Sequence, residues 1–168
     1  EIISLRGNVN TRLQKLEEEH FDAIILAVAG LKRLGFGDRI TEVLPRDLCL
    51  PAVGQGALAI EARSGDAAVL SHVAFLNDEA TRAAARAERA FLARVEGGCQ
   101  VPVGVYAEVV DTALEMEAVI ASVDGERLYR KKTAGSALDA ERIGRALAEE
   151  LLAMGGEAIL QELGLLQS

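Results

Sequence analysis

Tryptophan is absent from this chain of 168 residues, aromatic side chains make up 4% of it, and it has two cysteines, two histidines and three prolines. Each scarcity removes a class of function. So few aromatic rings leave no platform on which bases could stack. A net charge of −8 argues against nonspecific attraction to nucleic acid or to an anionic membrane. Cys49 and Cys99 are too few and too far apart for a disulfide framework, and neither stands in a Cys-x-x-Cys pair. His20 and His72 have no ligand partner at metal-site spacing, so no metal is expected and both read as surface residues. No run of about 18 apolar residues points to a membrane span, and no secretory signal opens the chain. A soluble, cytoplasmic protein is the expectation. There is likewise no serine-histidine-acid pattern and no phosphate loop, because Gly54 and Gly56 lack the basic residue and helix that would complete one.

What the chain does have is a strand-helix-strand pattern followed by an antiparallel one. A short apolar run ends at Leu5, Val9, Leu13 and Leu16 recur at helical spacing, and Asp22 to Val28 is unbroken enough for a strand covered on both faces. Two strands separated by a helix should be parallel. A two-strand sheet cannot bury both faces by itself, so residues 1–56 are expected to be part of a larger α/β domain. Pro45 and Pro51 bracket Cys49 in an extended connector, a domain boundary is expected near Gly56, and Ala57 to Glu61 reads as one more strand. Asn77 or Asp78 can then cap an alanine-rich helix with Ala80, Ala84, Ala87 and Phe91 on one face and Arg82, Arg86 and Arg89 on a solvated one, ended by Gly97 and Gly98. Val101 to Val110, Ala113 to Val123 and Leu128 to Lys132 read as strands of a meander turning at Asp111-Thr112 and Asp124-Gly125. Asp139 opens a helix with Ile143, Leu147, Leu151 and Met154 on one face, ended by Gly155-Gly156, and a short helix follows through Ile159 and Leu160. The expected fold is α/β plus α+β: a partial parallel-sheet unit, then a small domain with a three-stranded antiparallel sheet and helices.

Two places could carry chemistry. In parallel α/β units ligands bind beyond the carboxyl ends of strands, where Arg6-Gly7-Asn8 stands, with Arg12 one turn on. The helix N-terminus there favours an anion. Ala29-Gly30 makes a second tight turn, with Arg33 one helical turn beyond. Guanidinium groups grip carboxylates in two-pronged fashion, so Arg6, Arg12 and Arg33 point to a ligand with several carboxylates; the alternative is ordinary surface arginines, and Lys32 is read as solvated. Cys99 is the second place. The glycines of Glu96-Gly97-Gly98-Cys99-Gln100 lift its thiol onto a loop where it could carry a group, and the alternative is a small apolar plug under a turn.

Four blocks carry a resemblance: Leu5-Arg6-Gly7-Asn8-Val9 with Thr11-Arg12-Leu13; Asp22 to Leu34, containing Ala27-Val28-Ala29-Gly30-Leu31-Lys32-Arg33; Leu50-Pro51-Ala52-Val53-Gly54-Gln55-Gly56-Ala57; and Glu96-Gly97-Gly98-Cys99-Gln100-Val101-Pro102. In this order they closely resemble the porphobilinogen deaminases, also called hydroxymethylbilane synthases, over the first two-thirds of the chain. The resemblance implies a transferase of tetrapyrrole and heme biosynthesis with a dipyrromethane cofactor joined by a thioether to Cys99. On that primer four porphobilinogen molecules are condensed head to tail with loss of ammonia, and the product is released by hydrolysis as hydroxymethylbilane. It implies that Arg6, Arg12 and Arg33 bind acetate and propionate groups, that Ala27 and Gly30 line the pocket with backbone, and that Gln55 lies in a hinge segment beside it.

The implied architecture has two periplasmic-binding-protein-like domains and a C-terminal domain. Residues 1–56 would be the latter part of the second, 57–96 a return strand and helix belonging to the first domain and the linker, and 97–168 the domain with the cysteine. The implied partners are porphobilinogen and the growing pyrrole chain, with no nucleic acid and no membrane, in a monomeric enzyme. The family's N-terminal half, with its catalytic aspartate, has no counterpart here, and none of Asp22, Asp38 or Asp47 stands in that motif. No catalytic residue is therefore assigned, and this chain alone is expected to be inactive. Asn10 stands where a glycine is frequent. The alternatives are a non-catalytic polycarboxylate-binding module and a fragment that self-associates through its open strands.

Overall fold

A computed structural model of the chain describes residues 2–95 and 101–165. The Cys99 loop lies outside the described residues. The chain divides into two units, Glu1–Leu44 and Pro45–Ser168.

In the first unit, helix α1 (Val9–Glu18) starts where Asn8 turns its side chain back to accept from Thr11 N–H at 2.8 Å. This cap satisfies one of the donors that every helix start leaves open. Helix α2 (Val28–Arg33) is short, and a single 3₁₀ turn follows at Gly37–Arg39. Leu13 of α1 and Leu31 of α2 are the buried apolar side chains. The two expected parallel strands are not formed: neither residues 2–5 nor residues 22–27 join a sheet. The reason is physical. A parallel pair must be covered on both faces, and Ile2 and Ile25 stand exposed, Ile25 at 74%.

The second unit is built on a sheet of three antiparallel strands in the order β1 (Val103–Val110), β2 (Ala113–Ala121) and β3 (Leu128–Ser136). The register sets Ala107 opposite Met116 and Met116 opposite Thr133. Strand β3 runs four residues past the expected Lys132, because Thr133 to Ser136 pair with Met116 back to Ala113. Alternation puts Val105 and Ala107 of β1, and Leu114, Met116, Ala118 and Ile120 of β2, on one buried face.

Before the sheet come α3 (Ala67–Val73), which the sequence reading did not pick out, and α4 (Glu79–Arg94), capped by Asp78. After it come α5 (Ala140–Leu151), a wide turn at Leu152–Gly156 and α6 (Glu157–Glu162). Phe91 and Val95 from α4, Leu147 and Leu151 from α5, and Ile159 and Leu160 from α6 complete the core beneath the sheet. Helix α4, expected to accompany a different domain, is thus part of this one. Its apolar face at Ala87, Phe91 and Val95 is covered by α5 and the sheet. Met154, expected on the buried face of α5, is instead 48% exposed beyond the helix end. The expected strand at Ala57–Glu61 is absent: the segment pairs with nothing, and Leu58 and Ile60 are exposed.

The connector Pro45–Pro51 is fastened to the sheet. Pro51 accepts from Val105 N–H at 2.9 Å along the open edge of β1, and Leu50 closes over Gly104, where an added Cβ would come within 2.9 Å of the Leu50 Cβ.

Candidate functional site

Two arginines of the first unit, Arg6 and Arg12, flank the start of α1. Gly7 has φ +130°, a conformation that L side chains rarely adopt, and a Cβ there would lie 2.9 Å from the Thr11 methyl. Glycine is therefore required where the chain enters the helix. The entry leaves the Gly7 carbonyl in reach of Arg12, whose Nε donates to it at 2.8 Å. Arg12 is thereby bent back over the first turn, toward the segment that carries Arg6.

Ala27 opens α2 with its carbonyl, which accepts from Gly30 N–H at 3.1 Å and Leu31 N–H at 3.3 Å. Gly30 faces α1, and a Cβ added to it would meet Val9 Cγ2 at 3.8 Å. The first turns of the two helices are thus neighbours, and Arg6, Arg12, Ala27 and Gly30 belong to one region. Arg33 sits in the last turn of α2, exposed, at the helix end that favours a cation.

The charge pattern there is unusual for this chain. Of the six cations in residues 1–44, Lys15 pairs with Glu19 at 3.6 Å and Arg39 with Glu17 at 2.6 Å. Arg6, Arg12, Lys32 and Arg33 have no carboxylate within 4.0 Å among the described residues. In residues 45–168, by contrast, nine of twelve cations are paired, and Arg63, Arg89 and Arg145 are the exceptions among the described residues. The first turn of α1 also holds no acid. An anion at this helix start would be favoured by the helix end and by the two nearby guanidinium groups.

Gln55, the other expected binding residue, belongs to the second unit. It is exposed at the tip of the turn Ala52–Ala57, between Gly54 at φ +71° and Gly56 at φ +89°. The turn is closed by local bonds from Gln55 N–H to Ala52 O and from Ala57 N–H to Gly54 O. Glu88, which the sequence reading passed over, holds it from α4: Oε2 accepts from Gly54 N–H at 2.7 Å and Oε1 from Ala107 N–H at 2.9 Å. Burial pushes the Glu88 carboxyl above the ordinary glutamate range, and the two N–H bonds partly offset the rise. A signal was available, because Glu88 falls in line with Ala84, Phe91 and Val95, an acid on the apolar stripe.

A groove of about 600 Å³ lies on the sheet face away from the helices, lined by Arg46, Tyr106, Glu108, Glu115 and Glu117 among others. Arg46 stacks over the Tyr106 ring at 4.2 Å and pairs with Glu108 at 2.7 Å. The Arg46 guanidinium holds the Glu108 carboxyl below the ordinary range. Three glutamates make this groove unsuited to a ligand rich in carboxylates. The uncompensated arginines of the first unit suit one better.

Two family models match the chain. Residues 1–71 match "porphobilinogen deaminase, dipyromethane cofactor binding domain", and residues 82–153 match "porphobilinogen deaminase, C-terminal domain". The chain belongs to the porphobilinogen deaminase family. It is 53% identical over 162 residues to the porphobilinogen deaminase of Geotalea daltonii, covering 96% of this chain and 51% of that one. The enzyme of Geobacter sulfurreducens gives the same identity and coverage, and that of Carboxydothermus hydrogenoformans is 50% identical over 161 residues, covering 96% of this chain and 52% of its own. The chain spans about half the length of the curated relatives it matches. The first matched region is the one named for the dipyrromethane cofactor. Among the described residues no helix is long and apolar enough to cross a membrane.

Proposed function

We propose that the protein holds a dipyrromethane through a thioether at Cys99 and serves in the head-to-tail condensation of porphobilinogen, with loss of ammonia, to hydroxymethylbilane. The observation that carries this reading is the set of arginines around α1 and α2 that have no carboxylate partner among the described residues, in a chain with eight more acids than bases. Each pyrrole of this chemistry carries an acetate and a propionate. The residues present fit such a group.

When bound, the dipyrromethane supplies the free pyrrole carbon to which each new ring is joined. The chain's own residues have simpler tasks. Arg6 and Arg12 bind carboxylates at the start of α1, where the helix end adds its partial positive charge. Arg12 does so with its two Nη groups, since its Nε is committed to the Gly7 carbonyl. Arg33 binds a further carboxylate, and Ala27 and Gly30 allow a flat ring to approach because neither carries more than a methyl. Gln55 offers an amide to the ligand, and the Cys99 sulfur is the anchor. In this reading residues 1–56 include part of a periplasmic-binding-protein-like α/β domain in which segments 2–5 and 22–27 become strands of a completed sheet. The location is cytoplasmic, and the partners are porphobilinogen and the growing pyrrole chain.

The test is the intact mass of the protein as purified and of its Cys99→Ser variant purified in the same way. An increment equal to two linked pyrroles on the wild type, and none on the variant, is the expected result. An increment that survives in Cys99→Ser would move the anchor to another residue. None in either protein would remove covalent priming from this chain.

A further inference from the structure

Glu88 is the one carboxylate buried among the described residues, at 7% exposure, and no lysine or arginine lies within ion-pair distance of it there. Burying a charge is costly unless it is hydrogen-bonded, and for stability alone an apolar side chain would serve α4 better. What a carboxylate offers is two acceptor oxygens in one plane. Here they reach two segments far apart in sequence, the Gly54 N–H of the connector turn and the Ala107 N–H in the middle of β1.

The rest of the connector shows why the bridge matters. From Arg46 to Pro51 the chain is held independently of Glu88. Arg130 of β3 donates from Nη1 to the Asp47 carbonyl at 2.6 Å and from Nη2 to the Arg46 carbonyl at 2.7 Å, while its Nε is fixed by Glu117 at 2.7 Å. Val105 N–H then takes the Pro51 carbonyl. Beyond Pro51 the turn Ala52–Ala57 has one non-local hydrogen bond among the described residues, that from Gly54 to Glu88. With glycine on both sides of Gln55, a turn released from Glu88 has many conformations open to it.

We propose that Glu88 is a positioning residue, whose carboxylate pins the Gly54-Gln55-Gly56 turn to the edge of β1 and so holds the Gln55 amide ready for an acidic pyrrole ligand. The role given to Gln55 rests on the function proposed above. The role given to Glu88 rests on the two bonds alone. Glutamine cannot replace it, because the amide keeps one acceptor oxygen and turns an NH₂ donor toward the second N–H. Aspartate keeps the charge but is one methylene too short to span both donors.

Amide hydrogen exchange decides the first half. In the wild type the Gly54 amide should exchange about tenfold more slowly than that of Gly56, which has no partner in the turn, and in Glu88→Gln and Glu88→Asp the advantage should vanish while the β2 amides stay protected. Equal exchange at Gly54 and Gly56 in the wild type overturns the proposal even if neither variant folds. The second half is a cycle read by the affinity for porphobilinogen. Glu88→Gln should weaken binding about tenfold in the wild type and have no effect once Gln55 is alanine. Equal weakening in both backgrounds would make Glu88 a core staple that does not act through Gln55. A wild type that binds no porphobilinogen would sink the proposed function, with the exchange data still deciding whether Glu88 sets the turn.

Discussion

Gly144 of α5 lies directly on the backbone of Ala87 in α4. A Cβ at Gly144 would sit 2.9 Å from the Ala87 carbonyl carbon and 3.2 Å from its Cα, and closer still to the carbonyl oxygen. Two helices cross there with nothing between them, and the obstacle is main chain, which cannot rotate away. The crossing brings Arg86 to Glu141 at 3.0 Å and Arg94 to Glu149 at 3.2 Å along the solvent side of the two helices. Those pairs are exposed, so the close approach and the core beneath it hold the helices together.

Gly144→Ala is therefore expected to destabilise, although alanine is the better helix former by about 1 kcal/mol. Overpacking against backbone should outweigh that gain and give a net loss of about 2 kcal/mol. The measurement is a urea midpoint, with Gly37→Ala as comparator because a Cβ there meets nothing within 4 Å. Equal midpoints for Gly144→Ala and the wild type would show that the close approach costs no more than the ~1 kcal/mol alanine gains as a helix former, and would overturn the prediction.

The Arg130–Glu117 pair gives a pH signature. Burial alone would push the Glu117 carboxyl up, but the hydrogen bond and charge of Arg130, and then those of Lys132, outweigh it and hold the group below the ordinary range. A carboxyl depressed in the folded state stabilises the fold above its unfolded value of about 4.3, and that stabilisation is lost as pH falls through the folded value. Glu117→Gln should thus cost about 2 kcal/mol near neutrality and progressively less in acid. The check is the gap in urea midpoint between wild type and variant at several pH values. A gap that stays constant into acid would show that Glu117 is not held by its cations.

How much of this was legible beforehand varied with how local the cause was. The meander turning at Asp111-Thr112 and at Asp124-Gly125, and the helix opened by Asp139, follow from alternation, turn chemistry and spacing, all of which act within a few residues. The arginines at Arg6 and Arg12 were legible as a charge cluster, but the bond from Arg12 to Gly7 depends on the backbone twist that glycine permits. The apolar stripe of α4 marks Glu88 as a misplaced acid, but its partners lie 34 and 19 residues away, so that local pattern does not report what it holds. The strands expected at residues 2–5, 22–27 and 57–61 had the right composition. Composition supplies the apolar surface but not the neighbour that must cover it, and Leu58, 85% exposed, has none.

Arg12 allows the sharpest test of the charge reading, because lysine and alanine separate charge from geometry. Alanine removes the guanidinium, and with it one or two charge-assisted bonds, so affinity for porphobilinogen should fall about tenfold to a hundredfold. Lysine keeps the charge, but it has no planar fork with which to bind the Gly7 carbonyl and a carboxylate together, so it should recover only part of that loss. Arg89→Ala serves as the control, since Arg89 is likewise without a carboxylate partner among the described residues but lies exposed on α4. The loss at Arg12 should shrink as salt is raised, whereas Arg89→Ala should match the wild type throughout. Should Arg89→Ala weaken binding as much as Arg12→Ala, net charge would account for the effect and the α1 terminus would lose its claim to the ligand.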